Sequence, residues 1–219
     1  MEAQLRAAIQ QTLVRLAASS PVLTQPTRPE KLYEAWVFTC VVRALGRLGA
    51  TMQVRDSGDN AAPNLLFRLA PGLIYSPTTA SSFVFLTYNG RAYEIHHGVR
   101  VQGRSSVLHE LDICIIDRDE ANRCRKNSIN PRQARTRLLI ECKFYGATLP
   151  LELGREFLGL GKEFNMRIKT LVSNAESDDV HRLVSRHQGT ANFRIAPTSP
   201  AETNRFVAWM ETEIKQVLL

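Results

Sequence analysis

Two apolar runs separated by a polar stretch constrain this chain most: LHELDICIID at 108–117 and RLLIECKFYG at 137–146. Read as strands, they are nearly all apolar, as strands buried on both faces should be. The rest of the sequence supplies covering helices. MEAQLRAAIQQTLVRLAA places Leu5, Ile9, Leu13 and Leu16 at helical spacing, and three prolines in SSPVLTQPTRPE then break the pattern. KLYEAWVFTCVVRALGRLG, from 31 to 49, predicts a second helix, apolar enough to be buried.

Strands are predicted for ATMQVRD (50–56), LLFRLAPGLIYSP (65–77), SSFVFLTYNG (81–90) and RAYEIHHGVRVQG (91–103). Asn89-Gly90 between the last two is a two-residue hairpin signal. After residue 146 the period changes. TLPLELGREFLGLGKEFN reads as a helix with Thr148 near the cap and Pro150 in its first turn. RIKTLVSN is a strand, SDDVHRLVSRHQG a helix closed by Gly189, NFRIAP a short strand and PAETNRFVAWMETEIKQVLL a closing helix. The order predicts one α/β domain over residues 31–219, a sheet with helices on both faces. Residues 1–30 read as an appended helix and linker.

Hydrophobic residues make up 44% of the 219, enough for a sizeable core. The net charge of +7 favours a polyanionic partner, nucleic acid before an acidic membrane surface. No apolar run reaches the roughly 18 to 20 residues of a membrane span. Arg6 and Arg15 interrupt any signal-peptide core. Cys40, Cys114, Cys124 and Cys142 show no CxxC spacing and read as reduced thiols of a cytoplasmic protein. A zinc site from Cys124 with His96, His97 or His109 matches no standard spacing.

The acids inside the two apolar runs are the informative exception. Side chains alternate along a strand, so Glu110 and Asp112 are expected on one face, and Glu141 and Lys143 on one face, about 6 to 7 Å apart. If the strands are neighbours, the α-carbons of Asp112 and Glu141 lie roughly 5 Å apart. Carboxylates that close cannot all stay ionised unaided, and a divalent metal resolves the conflict. Mg²⁺ takes carboxylates, a backbone carbonyl and waters. A metal beside a lysine is equipment for attacking a phosphodiester.

Asp112 followed by Glu141-Cys142-Lys143 resembles the PD-(D/E)XK nuclease superfamily, with Leu111 where that family's usual proline stands. The lead-in GVRVQGRSSVLHELDI looks like the hairpin approach of bacterial defence and restriction nucleases. Glu34, in KLYEAWVF, stands where many members carry a glutamate on a helix preceding the sheet. The resemblance covers roughly residues 30 to 175. It implies a restriction-endonuclease-like α/β/α sandwich around a mixed central sheet, and a Mg²⁺-dependent endonuclease that cuts DNA, with Mn²⁺ as a substitute. An anti-phage or restriction setting would suit it. Asp112 and Glu141 would bind metal with the Cys142 carbonyl, Glu110 being a further candidate ligand. Lys143 would activate the attacking water and Glu34 would complete the site. Two alternatives remain at this point: an RNA-directed nuclease of the same fold, or a catalytically silent nucleic-acid-binding subunit. Each residue also has a plain reading, such as Glu141 and Lys143 simply pairing with each other.

Between the motif strands, the run from Arg123 to Arg137 carries Arg123, Arg125, Lys126, Arg132, Arg135 and Arg137 and no acid. It reads either as a mobile, solvated hairpin tip or as a phosphate-binding loop. His109 should face away from the acids. Glu152, Arg155 and Lys162 on the following helix are candidate substrate contacts, and Gly154, Gly159 and Gly161 would permit close packing on the sheet. GLGK at 159–162 lacks the full P-loop spacing. No helix-turn-helix or zinc recognition module is visible, so either the protein cuts with little specificity or another subunit guides it; a homo-oligomer or a guiding or regulatory protein subunit is a candidate partner.

Overall fold

The structure, a computed structural model, describes residues 2–13, 28–76 and 81–218. Its centre is a mixed sheet of seven strands whose spatial order follows the chain. The strands are β1 (Thr51–Asp56), β2 (Ser82–Tyr88), β3 (Arg91–Gln102), β4 (Leu108–Asp117), β5 (Thr136–Lys143), β6 (Ile168–Ser173) and β7 (Thr190–Asn192). Neighbours from β1 to β5 are antiparallel, and β5, β6 and β7 run parallel. Parallel neighbours need a crossover, and helices α4 (Leu151–Glu163) and α5 (Asp178–Arg186) supply the two. The remaining helices are α1 (Glu2–Leu13), α2 (Pro29–Arg47), α3 (Arg118–Asn127) and α6 (Pro200–Val217).

Two hydrophobic clusters cover the two faces. One gathers Leu5 and Ile9 of α1, most of α2, and Phe206, Met210 and Ile214 of α6 against Ile113, Ile115, Leu138 and Ile140. The other sets Phe157 of α4, Val180 and Val184 of α5, and Ala121 and Cys124 of α3 against Cys114, Ile116, Leu139 and Leu171. The helix-covered α/β sheet expected from the sequence is therefore present. Within α1, Leu5 and Ile9 are fully buried, and α2 begins at Pro29; the predicted linker at 14–27 lies outside the described residues. Leu16 lies outside the described residues. All four cysteines are buried free thiols. Among the described residues no helix is long and apolar enough to cross a membrane.

Several local expectations change. Residues 65–76 of the predicted 65–77 strand form no strand, and Pro77 lies outside the described residues. Only Gly72 bridges to the sheet, at Val99, while Leu65, Phe67 and Ile74 are buried irregularly. Its backbone groups find other partners: Arg68 N–H donates to His97 Nδ1 at 3.0 Å, and His97 Nε2 lies 3.2 Å from the Leu66 carbonyl. That leaves His97 a neutral imidazole with both nitrogens engaged, its pKa lowered to about 3 by burial and then by Arg68. Pro150 occupies the N-cap of α4 itself, so Thr148 plays no capping part. Ser177 caps α5, accepting from Val180 N–H. The short strand β7 lies just ahead of the predicted NFRIAP, overlapping it at Asn192. Gly154 is a close-approach residue, but toward Val180 of α5 rather than the sheet, and Gly159 and Gly161 face open space.

Asn89 and Gly90 both have positive φ, 50° and 75°, as a type I′ hairpin turn requires. A second positive φ, 55° at Gly98, has more consequence for the site. Ile95 packs in the α2-side cluster, whereas Val99 and Val101 pack in the other. Opposite on β4, Ile113 belongs to the α2-side cluster and Leu111 to the other. Register pairs His97 with Ile113 and Val99 with Leu111, so both strands change face at Gly98 and Asp112. Strict alternation across LHELDICIID therefore fails at Asp112.

Candidate functional site

β4 and β5 pair through Ile113↔Ile140, where their ladder ends. Just beyond, the Asp112 carboxylate takes the Cys142 N–H at 2.7 Å, a bond that a continuing ladder would have given to backbone. Asp112 is thus buried at the point where two central strands part, 9% exposed. Glu141 stands next along β5, with Lys143 Nζ 2.9 Å from its Oε1. From above the sheet, α2 delivers Glu34, which is 8% exposed. Lys31, one helical turn earlier, contacts both Glu34 oxygens at 2.9 and 2.8 Å and lies 3.6 Å from Glu110 Oε1. That Glu110 oxygen is buried without a hydrogen-bond partner.

The electrostatics are those of acids held together against their preference. Burial, then Glu141 and Glu34, pushes the Asp112 carboxyl well above the usual range. Glu34 is pushed up to about 7, by burial first and then by Glu110 and Glu141, although Lys31 opposes the shift. Glu141 is raised by burial and by Glu110 and Glu156, against the pull of Lys143. Lys31 and Lys143 both sit above the usual lysine value: burial lowers them, but Glu34 outweighs it for Lys31 and Glu141 for Lys143. Four carboxylates and two ammonium groups gather in one cluster. Each ion pair is a local solution for a pair of charges, and the surplus acid is left unresolved.

Each predicted site residue can be located. Glu34, Asp112, Glu141, Lys143 and Glu110 come together. Lys31 was missed, although its spacing of three from Glu34 on a helix was a visible signal. His109 lies apart, 3.6 Å from Glu163 Oε2 and edge-on to Phe164. Glu152, Arg155 and Lys162 are exposed on α4, and the α4 residue felt at the cluster is Glu156. Among the described residues no ready-made group of three or more His, Cys, Asp or Glu is set for a metal ion; Glu34 and Glu141 are engaged with the two lysines and Asp112 with the Cys142 amide.

The arginines of the intervening stretch do not form a mobile tip. The stretch folds into α3 and a 3-10 turn, Gln133–Arg135. Arg125 turns inward: its two terminal nitrogens meet Glu94 at 2.8 and 2.5 Å, and its guanidinium covers the Phe83 ring at 4.5 Å. Arg118 joins the same fully buried Glu94. Glu120 receives Arg123 and Arg132, and Asp117 receives Arg137, with Arg135 at 3.8 Å. Lys126 is exposed. The partners missing from the stretch itself are Asp117 and Glu120 just before it, and Glu94 on β3, which no local reading could find.

No protein-family model matches this chain, and no curated protein sequence matches it. What is defined is a class: an α/β domain with a buried carboxylate–lysine cluster where two central strands separate.

Proposed function

We propose that this protein is a metal-dependent nuclease of the restriction-endonuclease-like type, hydrolysing phosphodiester bonds in DNA. The observation that carries the proposal is the convergence of Asp112, Glu141 and Lys143 with Glu34 of a separate helix at the strand parting. A structural reading explains one ion pair; it does not explain why the fold gathers further acids that raise one another's pKa values.

The donor set fits a hard divalent cation. The crowded carboxylates would be relieved by two positive charges, and Glu110 has a buried oxygen in need of a partner. Asp112 and Glu141 would hold Mg²⁺ or Mn²⁺. The Cys142 carbonyl would join them, since a residue's N–H and C=O leave a strand on the same side and its N–H already faces Asp112. The bound cation would polarise a phosphate oxygen and acidify a water. Lys143 carries its charge beside Glu141 and can orient a water and stabilise negative charge developing on the phosphate. Lys31 pairs with Glu34 and lies 3.6 Å from Glu110, so its charge is shared between the two acids. Glu34 completes the acidic wall and, with a pKa near 7, can accept or release a proton close to neutrality.

The test is a digest panel of linear and circular duplex DNA, single-stranded DNA and RNA, in Mg²⁺, Mn²⁺ or chelator. Metal-dependent DNA cleavage lost in Lys143→Ala is the expected result. Cleavage of RNA alone would move the substrate assignment. Binding without cleavage in either metal would make the protein a silent binding subunit.

A further inference from the structure

We propose that an arginine-walled cavity at the opposite end of β4 and β5 binds a small, multiply charged phosphorylated ligand. This site does not depend on the nuclease reading. The cavity encloses about 590 Å³, within the range of small-molecule sites. Four pieces of chain build it: the β2–β3 turn with the start of β3, the end of β4, the first turns of α3, and the segment leading into β5. Along β5, Arg137 at the cavity is four residues from Glu141, roughly 13 Å at strand rise.

Six arginines line the cavity, at positions 91, 118, 123, 132, 135 and 137, against three acids, Asp117, Asp119 and Glu120. The acids act as struts more than as neutralisers. Glu120 holds Arg123 through two nitrogens, at 2.9 and 2.6 Å, and Arg132 at 3.2 and 3.1 Å, and also accepts the Arg132 N–H. Asp117 holds Arg137 at 2.7 and 2.5 Å. Arg137 is the extra residue of a β-bulge opposite Ile115 and Ile116, the kind of irregularity that re-aims a side chain. A guanidinium has five N–H donors, so each strut leaves donors over. One carboxylate serving two arginines also leaves charge over.

Two cations are less committed. Arg135 is 58% exposed and no nearer to Asp117 than 3.8 Å, and Arg91 is exposed, with no ion pair among the described residues. Arg118 is tied to two carboxylates, Glu94 and Asp59, so it contributes less free charge than the others. Fixed planar forks around a concave space suit phosphate oxygens bidentately. A nucleic-acid backbone is better met by an open track of mobile cations, and a stacked base by exposed aromatic rings. Here the one aromatic side chain of the lining, Tyr93, is itself buried.

Titration calorimetry of the whole chain with sodium tripolyphosphate, in chelator so that no metal bridges the carboxylate cluster, tests the site. Saturable one-site binding is expected. It should weaken on the order of tenfold in Arg91→Ala and in Arg135→Ala, each removing a charge-assisted contact. Both side chains are exposed, and unchanged thermal melts would show that the variants fold. Binding should persist in Lys143→Ala. Three results would overturn the proposal: no saturable binding, binding undiminished in both arginine variants, or loss of binding in Lys143→Ala, which would put the anion at the carboxylate cluster. Displacement of tripolyphosphate by a short DNA duplex whose own binding needs Arg91 and Arg135 would make the cavity a nucleic-acid contact instead.

Discussion

At the scale of single residues, Asp112 has two roles that substitutions can separate. It is an acceptor for a buried amide and a charge among charges. Asparagine keeps an acceptor oxygen and removes the charge, so Asp112→Asn should melt at or above wild type in chelator while losing metal binding and cleavage. Alanine leaves the Cys142 N–H unpaired, an expected loss of about 1–3 kcal/mol. Denaturant titrations of both variants, beside calorimetry with Mn²⁺, give the comparison. An Asp112→Asn protein that melts far below wild type yet still cuts would show that this acid serves the fold alone. Glu34 offers a separate readout. Its pKa of about 7 is raised above the ordinary 4.5, so between those values the folded protein holds more protons than the unfolded one. Stability from this group is therefore full below pH 4.5 and is lost as pH rises through 7. The melting temperature of Glu34→Gln minus that of wild type should be near zero at pH 4 and grow positive toward pH 8, all in chelator. A flat difference would mean that the acid is not under strain.

At the scale of elements, α3 is joined to the sheet by charge as much as by apolar packing. Glu94 on β3 accepts from His96, Arg118 and Arg125, two of them α3 residues, and Arg125 also covers Phe83. The carboxylate is held down at about 2: its burial alone would raise it, and His96 and Arg125 more than compensate. Removing one partner of such a buried set strands the others. Glu94→Ala should cost roughly 3–5 kcal/mol in denaturant unfolding. It should also raise hydrogen exchange in α3 more than in α6 on the other face. Equal protection in both helices would show that α3 is held by Ala121 and Cys124 without the ions.

For the whole molecule, charged groups pull stability in opposite directions along the pH axis. Glu94 and Glu120, both near 2, add stability above 4.5 that is lost as pH falls toward 2. His97, lowered to about 3, adds stability as pH rises from there toward 6.5. The Glu34–Asp112–Glu141 cluster works the other way, destabilising as its acids ionise. A divalent cation that binds this cluster competes with protons, so Mn²⁺ should raise the melting temperature more at pH 8 than at pH 5. An equal shift at both pH values, or one preserved in Asp112→Asn with Glu141→Gln, would place the cation elsewhere.

The sequence by itself determined the apolar strands, the hairpin at Asn89-Gly90, the two crossover helices and the acids that the structure brings together in the candidate site. Each of these is a local pattern of period, turn chemistry or a charge interrupting an apolar run. The segment at 65–77 misled because apolar content predicts burial, and burial can be met by an irregular chain whose amides find a histidine or a single bridge. The arginines misled for a different reason. A charge count along the chain cannot see Glu94, which lies 31 residues before Arg125 and reaches it only through the pairing of β3 with β4. The meeting of Glu34 with Asp112 and Glu141 likewise depends on α2 lying over the strand parting, and the change of face at Asp112 depends on the positive φ of Gly98 on the neighbouring strand. Those juxtapositions were decided by tertiary structure alone, because long-range contacts are set by how elements pack rather than by what any one of them contains.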